Sequence, residues 1–353
     1  MNANKRIYME FLRIIACLFV LFNHSCGVVI TITQSDFSKS RIAAMLIFYL
    51  CKTAVPLFIM IAGANLLSKC DSREKYFSRI KKIMFLLIVF SLFYHVYYNH
   101  GFSLKTFLYN FYMEYSSTAL WYLYLYLGLL LMLPILQRIH LSDRMYLYLI
   151  ILYCIGPGLI PFLCYYWKLP VSEMNLFSFL PAGYLILFLL GDYMENRLQS
   201  KYYCKKGVLL AWAGLIGGLL LSLGCSIYQL YSTGEINNDY VYGKVYFTPT
   251  VLLSLCIFYL AKYYCGKKIP SILSSAILKV GSCTLGIYLL GDFLRMQFAC
   301  ISDFFKARTS ELVSVLLFDA SVFFIGFLIT MCYSLVKNRV KQLYARSNHS
   351  FKE

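Results

Sequence analysis

Apolar residues in this chain come in long runs and do not alternate with polar ones. Runs that meet or approach the roughly 20 mainly apolar residues a bilayer-crossing helix needs lie near 7–32, 42–67, 83–98, 119–136, 145–163, 176–194, 207–228, 246–264, 276–299 and 312–336. They predict an all-α fold, a polytopic bundle of about ten transmembrane helices. It forms one integral membrane domain over 1–353, with the bundle in about 1–340 and a cytoplasmic tail in 341–353. The eighth run is weakened by Pro249 and the ninth by Lys279, Asp292 and Arg295. Gly156 and Pro157 predict a kink in the fifth, because proline removes a backbone donor and clashes with the preceding turn; bundles tolerate such breaks. The first run follows Lys5 and Arg6 as a secretion signal does, but it extends through Ile32 without a small-x-small cleavage site and reads as a retained span.

Composition makes the bilayer the solvent. The chain has 353 residues, 60% hydrophobic and 14% charged, against about 25% charged in soluble domains. That is too little polar surface to cover a water-soluble globule. The 32 tyrosines and 28 phenylalanines suit a packed bundle and the aromatic belts at membrane–water interfaces. The 13 cysteines are scattered, many within apolar runs (Cys17, Cys154, Cys225, Cys256, Cys332). No CxxC pair or Cys/His metal spacing occurs, so they read as small apolar fillers and no metal is expected.

Charge sets the orientation. With the amino terminus inside, the segments on its side hold 22 Lys/Arg and the opposite segments seven; Arg13, Lys52, Lys279 and Arg295 fall within spans. By the positive-inside rule both termini are cytoplasmic. The net charge of +17 is thus divided among short loops with no compact domain to present it, which argues against nucleic-acid binding. With no soluble domain, low-complexity linker or internal repeat, any chemistry belongs to the bundle.

A charge near the bilayer centre costs about 2.5 kcal/mol or more, so each one in a span is a functional candidate. Arg13 and His24 are eleven residues apart; at 1.5 Å and 100° per residue they share one helix face, offset by roughly 16 Å. Arg13, near the cytoplasmic end, suits an anionic group arriving from the cytosol. His24, past the midplane, suits an imidazole that accepts a proton or polarises a reacting atom. The spacing fits equally an arginine snorkelling to headgroups and a hydrogen-bonded core histidine. Between 68 and 82 stand Arg73, Lys75, Arg79, Lys81 and Lys82, a patch for a phosphorylated cofactor or for anionic lipid.

Arg6-Ile7-Tyr8-Met9-Glu10-Phe11-Leu12-Arg13, continuing to Val20-Leu21-Phe22-Asn23-His24-Ser25, resembles the first-helix signature of the integral membrane acyltransferases called acyltransferase type 3: a basic residue, an acidic residue, an arginine, then a histidine. Val55-Pro56-Leu57-Phe58-Ile59-Met60-Ile61-Ala62-Gly63, Leu120-Trp121-Tyr122-Leu123 and Leu285-Gly286-Ile287-Tyr288-Leu289-Leu290 match in order and spacing, and the likeness covers nearly the whole chain. Glu10 stands where aspartate is usual, Ala62 replaces a frequent serine, and Gly291 and Asp292 follow Leu290 where a histidine often comes. The family's cytoplasmic Arg-x-x-Arg is here Arg79-Ile80-Lys81-Lys82, and a lysine cannot clamp a phosphate bidentately.

The resemblance implies a membrane acyltransferase, in the family's usual bacterial inner membrane. It moves an acyl group, commonly acetyl, from acetyl-CoA or another acyl-CoA to a hydroxyl of a cell-surface glycan or lipid-linked sugar. Acyl-CoA is then a donor substrate and not a permanent cofactor; the sugar acceptor and membrane lipids are the other expected partners. Donor binding falls to Arg13, Arg79, Lys82 and Glu10. His24 becomes general base on the acceptor hydroxyl, or an acyl carrier, beside an electropositive group that stabilises the oxyanion. Glu10, about 21 Å away along the helix, is too distant to orient it, so Asp292 or Asp319, in the same membrane half, is the candidate partner. The other reading of Asp292, which the spacing favours, is a one-turn pair with Arg295 at the outer headgroups. Lys52 fits the neutralisation of such a carboxylate or a place lining an acceptor channel, and His95 the outer interface. Two other classes stay open: a transporter or flippase of a lipid-linked sugar, which usually shows related halves, and a non-catalytic sensor or scaffold in which Arg13 and His24 serve folding.

Overall fold

The structure, a computed structural model, describes residues 3–26, 38–69, 71–138, 142–166, 183–234, 248–266 and 269–350. In chain order these form α1 (Ala3–Cys26), α2 (Lys39–Cys51), α3 (Ala54–Leu66), α4 (Arg73–Asn99), α5 (Leu104–Met113) and α6 (Trp121–Leu136), which a 3₁₀ turn Thr118–Leu120 precedes. Then come α7 (Asp143–Ile155), α8 (Leu159–Tyr166) and α9 (Gly183–Asp192), which runs into a π-turn, Tyr193–Arg197. The chain continues as α10 (Lys205–Thr233), α11 (Thr248–Cys265), α12 (Ser271–Gln297), α13 (Ala299–Lys306) and α14 (Glu311–Ser350). The described residues contain no strand. The described residues are therefore all-helical, and the chain is a multi-pass membrane protein, as its apolar runs predict.

Eight helical stretches among the described residues are long and apolar enough to cross a bilayer; the apolar runs predict about ten. The other two runs are in shorter pieces. The fifth breaks after Ile155 into α7 and α8, while 176–182 of the sixth lie outside the described residues and α9 carries the rest. α14 extends beyond the tenth run to Ser350.

Two of the breaks follow from prolines. The ring of Pro56 collides with the carbonyl four residues earlier, that of Lys52, so the second run stops at Cys51 and restarts at Ala54. Thr53 Oγ1 closes the loosened turn on the Leu50 carbonyl at 2.6 Å, and the Lys52 ammonium lies 4.6 Å from the centre of the Phe48 ring. Pro157 acts likewise, and the Gly158 N–H reaches Tyr153 O at 2.8 Å. Pro249 falls in the first turn of α11, where a missing N–H costs no bond. α12 runs unbroken through Lys279, Asp292 and Arg295.

Two helix contacts position everything that follows. α3 and α9 cross with backbones touching: a Cβ on Gly63 would stand 1.8 Å from Phe188 O, and one on Gly191 2.0 Å from Met60 O. α1 runs parallel to α12. Gly281 faces Glu10, Cys17 Sγ lies 3.6 Å from Thr284 O, Gly291 faces Leu21 and Arg295 reaches His24. α1 also packs on α2, α3, α11 and α14, which buries Met9, Leu12, Ala16, Cys17 and Leu21. α4 and α10 form part of the rim, exposing Phe85, Ile88, Leu209 and Leu210.

At one end of the bundle Glu195 accepts from Tyr8 and pairs with Lys262 at 3.1 Å. Buried Asp192 accepts from Ser68 and, at 2.7 Å, from Tyr146, and lies 3.5 Å from Arg197. Next to these, outside the spans, burial and the Glu195 carboxylate push the Tyr203 hydroxyl well above the usual phenol range. This is the basic end, which the charge count predicts to be cytoplasmic. At the opposite end His95, expected at the interface, is buried. α5 folds back over α4, and Phe107 on it and Phe102 just before it meet the imidazole edge-on, ring centroids 5.6 and 5.9 Å away.

Candidate functional site

A cavity of about 510 Å³ opens at the basic end between α1, α3, α4, α6 and α12. Helical spacing builds its walls. Glu10 and Arg13 are one turn apart on α1, Arg79 and Lys82 one turn apart on α4, and residues three or four apart share a helix face. Asn65 and Lys69 complete the mouth from the end of α3. Arg13 Nη1 donates to Glu10 Oε1 at 2.6 Å, while Glu10 Oε2 is buried without a partner. Arg79 donates to Asp71; Lys82 is exposed at the rim. The structure thus brings Glu10, Arg13, Arg79 and Lys82 around one cavity. Four cations against one carboxylate in its lining make a positive cleft, which concentrates anions.

The deep end of the cavity is lined by Phe58, Tyr122 and Tyr288, and His24 is not part of the lining. His24 lies farther along α1, at the level where α12 presents Asp292 and Arg295. Arg295 Nη2 donates to the His24 carbonyl at 2.9 Å. The neighbouring Ser25 Oγ donates to Asp319 Oδ1 at 2.7 Å, and Arg295 Nε lies 4.0 Å from the same oxygen. Asp319, on α14, is fully buried; its Oδ2 and Arg295 Nε have no hydrogen-bond partner. Lys52, Asp292 and Arg295 stand within electrostatic reach of the imidazole.

Neither aspartate is hydrogen-bonded to the His24 ring. Asp319 acts on the residue beside it and on the arginine that holds its carbonyl. The one-turn pair of Asp292 with Arg295 does not form: Asp292 accepts from Ser117 at 2.8 Å and Thr118 at 3.5 Å, while Arg295 turns to α1 and α14. Ser117 and Asn65 carried no signal in the sequence, and Ser25 stood in the first-helix signature with no role, since their places depend on which helices are neighbours.

Residues 6–336 match a family model described as an acyltransferase domain. Neither the curated proteins nor the solved structures include a match to the chain.

Proposed function

Since this chain belongs to the acyltransferase type 3 family and is a multi-pass membrane acyltransferase, we propose that it transfers an acyl group, acetyl first, from cytosolic acyl-CoA to a hydroxyl of a surface or lipid-linked glycan across a bacterial inner membrane. The observation that carries this reading is the convergence of Glu10, Arg13, Arg79 and Lys82 on one cavity at the basic end, with His24 roughly 16 Å above Arg13 on the same helix.

The polyanionic head of CoA takes the mouth. Arg13 and Arg79 meet its phosphates with guanidinium forks, and Lys82 adds a point charge. Glu10 holds Arg13 in place for those phosphates. The pantetheine arm leads the thioester towards His24. The imidazole takes the proton of the acceptor hydroxyl while that oxygen attacks the thioester carbonyl; the C–O bond forms, the C–S bond breaks, and the proton passes from His24 to the departing sulfur. Arg295 and Lys52, the cations within electrostatic reach of His24, are the groups to stabilise the developing oxyanion.

The test supplies labelled acetyl-CoA to membranes holding wild type or His24→Ala, matched for folded protein, and follows label into glycan. The variant is expected to lose about 100-fold or more of the transfer rate, the scale of general base catalysis. Equal transfer by both overturns the role of His24.

A further inference from the structure

The donor cavity stops short of His24 at three rings contributed by three helices. Phe58 of α3 lies 5.6 Å from Tyr122 of α6 and 6.5 Å from Tyr288 of α12, and the two tyrosines are 6.0 Å apart, centroid to centroid. Each pair is within the contact range of aromatic side chains, so the three close on one another. Tyr288 is tied in place by donating its hydroxyl to the Ala119 carbonyl, and Tyr122 stacks on Tyr126 at 6.1 Å. Phe58 has no polar group to tether it. On the same face of α12, Asp292 and Arg295 follow Tyr288 by four and seven residues, about 6 and 10 Å farther along the axis. The rings therefore lie between the cationic mouth and His24, and a thioester rising from the cavity meets them before it meets the imidazole.

We propose that Phe58, Tyr122 and Tyr288 form a partition that selects the acyl group by length, passing acetyl and rejecting longer chains. The inference rests on the reading of the cavity as an acyl-CoA site. Its physical basis is that a close-packed interior resists even one added methylene. Phe58, the one ring of the three without a polar tether, is the ring that shifts for an acyl group to enter, and every methylene beyond acetyl adds volume that the close-packed rings must take up. Discrimination per methylene in an apolar site runs from about tenfold to two-hundredfold.

The experiment measures kcat/KM for thiol release from acetyl-, propionyl-, butyryl- and hexanoyl-CoA in glycan-containing membranes, for wild type, Phe58→Ala, Phe58→Leu and Phe58→Trp, each normalised to folded protein. Wild type is expected to fall about tenfold or more per added methylene; Ala and Leu flatten that ladder in proportion to the volume removed, and Trp steepens it. The Leu and Trp variants keep the test decisive if Ala does not fold. A flat wild-type ladder, or the same ladder in all folded variants, overturns the partition while leaving acetyl transfer standing. Failure of wild type to release thiol from any donor overturns the proposed function and this inference with it.

Discussion

Arg295 holds the carbonyl of His24 and faces the carboxylate of Asp319, so one side chain ties the last turn of α1 to α14. A guanidinium has donors in a fixed fork and does both at once; an ammonium has no such geometry. Arg295→Lys is therefore expected to lower kcat about tenfold with little change in KM for acyl-CoA, and Arg295→Ala to lower it further. Steady-state kinetics that place the loss in KM instead would rule out this positioning role. Arg13→Ala and Arg79→Ala should behave oppositely, weakening acyl-CoA affinity by about tenfold or more each, the scale of a hydrogen bond to a charged group, with acceptor preference unchanged; titration of membranes with labelled donor reads it out. In the sequence His24 and Arg13 stand out as polar groups within an apolar run, and Arg79 through its basic loop and the family likeness. Of the two readings open for Asp292, the one-turn pair with Arg295 does not form, because spacing is visible along a helix whereas their partners, on the turn at Ser117 and on α1 and α14, depend on packing.

The helices themselves were legible, since hydropathy reports what must face lipid; the break near Pro56 was not, because 42–67 reads as one run, although ring sterics explain it. Less legible was how closely helices approach. Gly63 and Gly191 let α3 and α9 touch through their backbones, and small residues at membrane helix contacts have this use. Gly63→Ala would drive its methyl into Phe188 O. Overpacking of this kind costs about 1–3 kcal/mol, and the detergent-solubilised variant should melt several degrees below wild type. Because α3 also carries Phe58 and Asn65 to the cavity, its donor affinity should drop as well. An unchanged melting temperature would show that the crossing is loose.

For the whole molecule the charge count makes a testable claim about orientation. Cys204, just before α10 at the basic end, and Cys300, on α13 at the opposite end, are both exposed. In intact cells a membrane-impermeant maleimide should label Cys300, and Cys204 only after permeabilisation, with Cys204→Ser and Cys300→Ser variants identifying each band. Reversed labelling would invert the bundle and place the cationic mouth outside.

The separation of the cavity from His24 has an electrical consequence. Acyl transfer moves the equivalent of an acylium cation outward; if His24 hands the hydroxyl proton to the departing sulfur, one positive charge returns inward and the exchange is electroneutral. A sulfur that took its proton from the cytosol, with the hydroxyl proton lost outside, would export one charge per turnover against about 2.3 kcal/mol for each 100 mV of membrane potential. Proteoliposomes clamped with a potassium gradient and valinomycin should accordingly turn over at the same rate with or without an inside-negative potential. By this route the outer surface is modified without drawing on the energy the cell stores across its membrane.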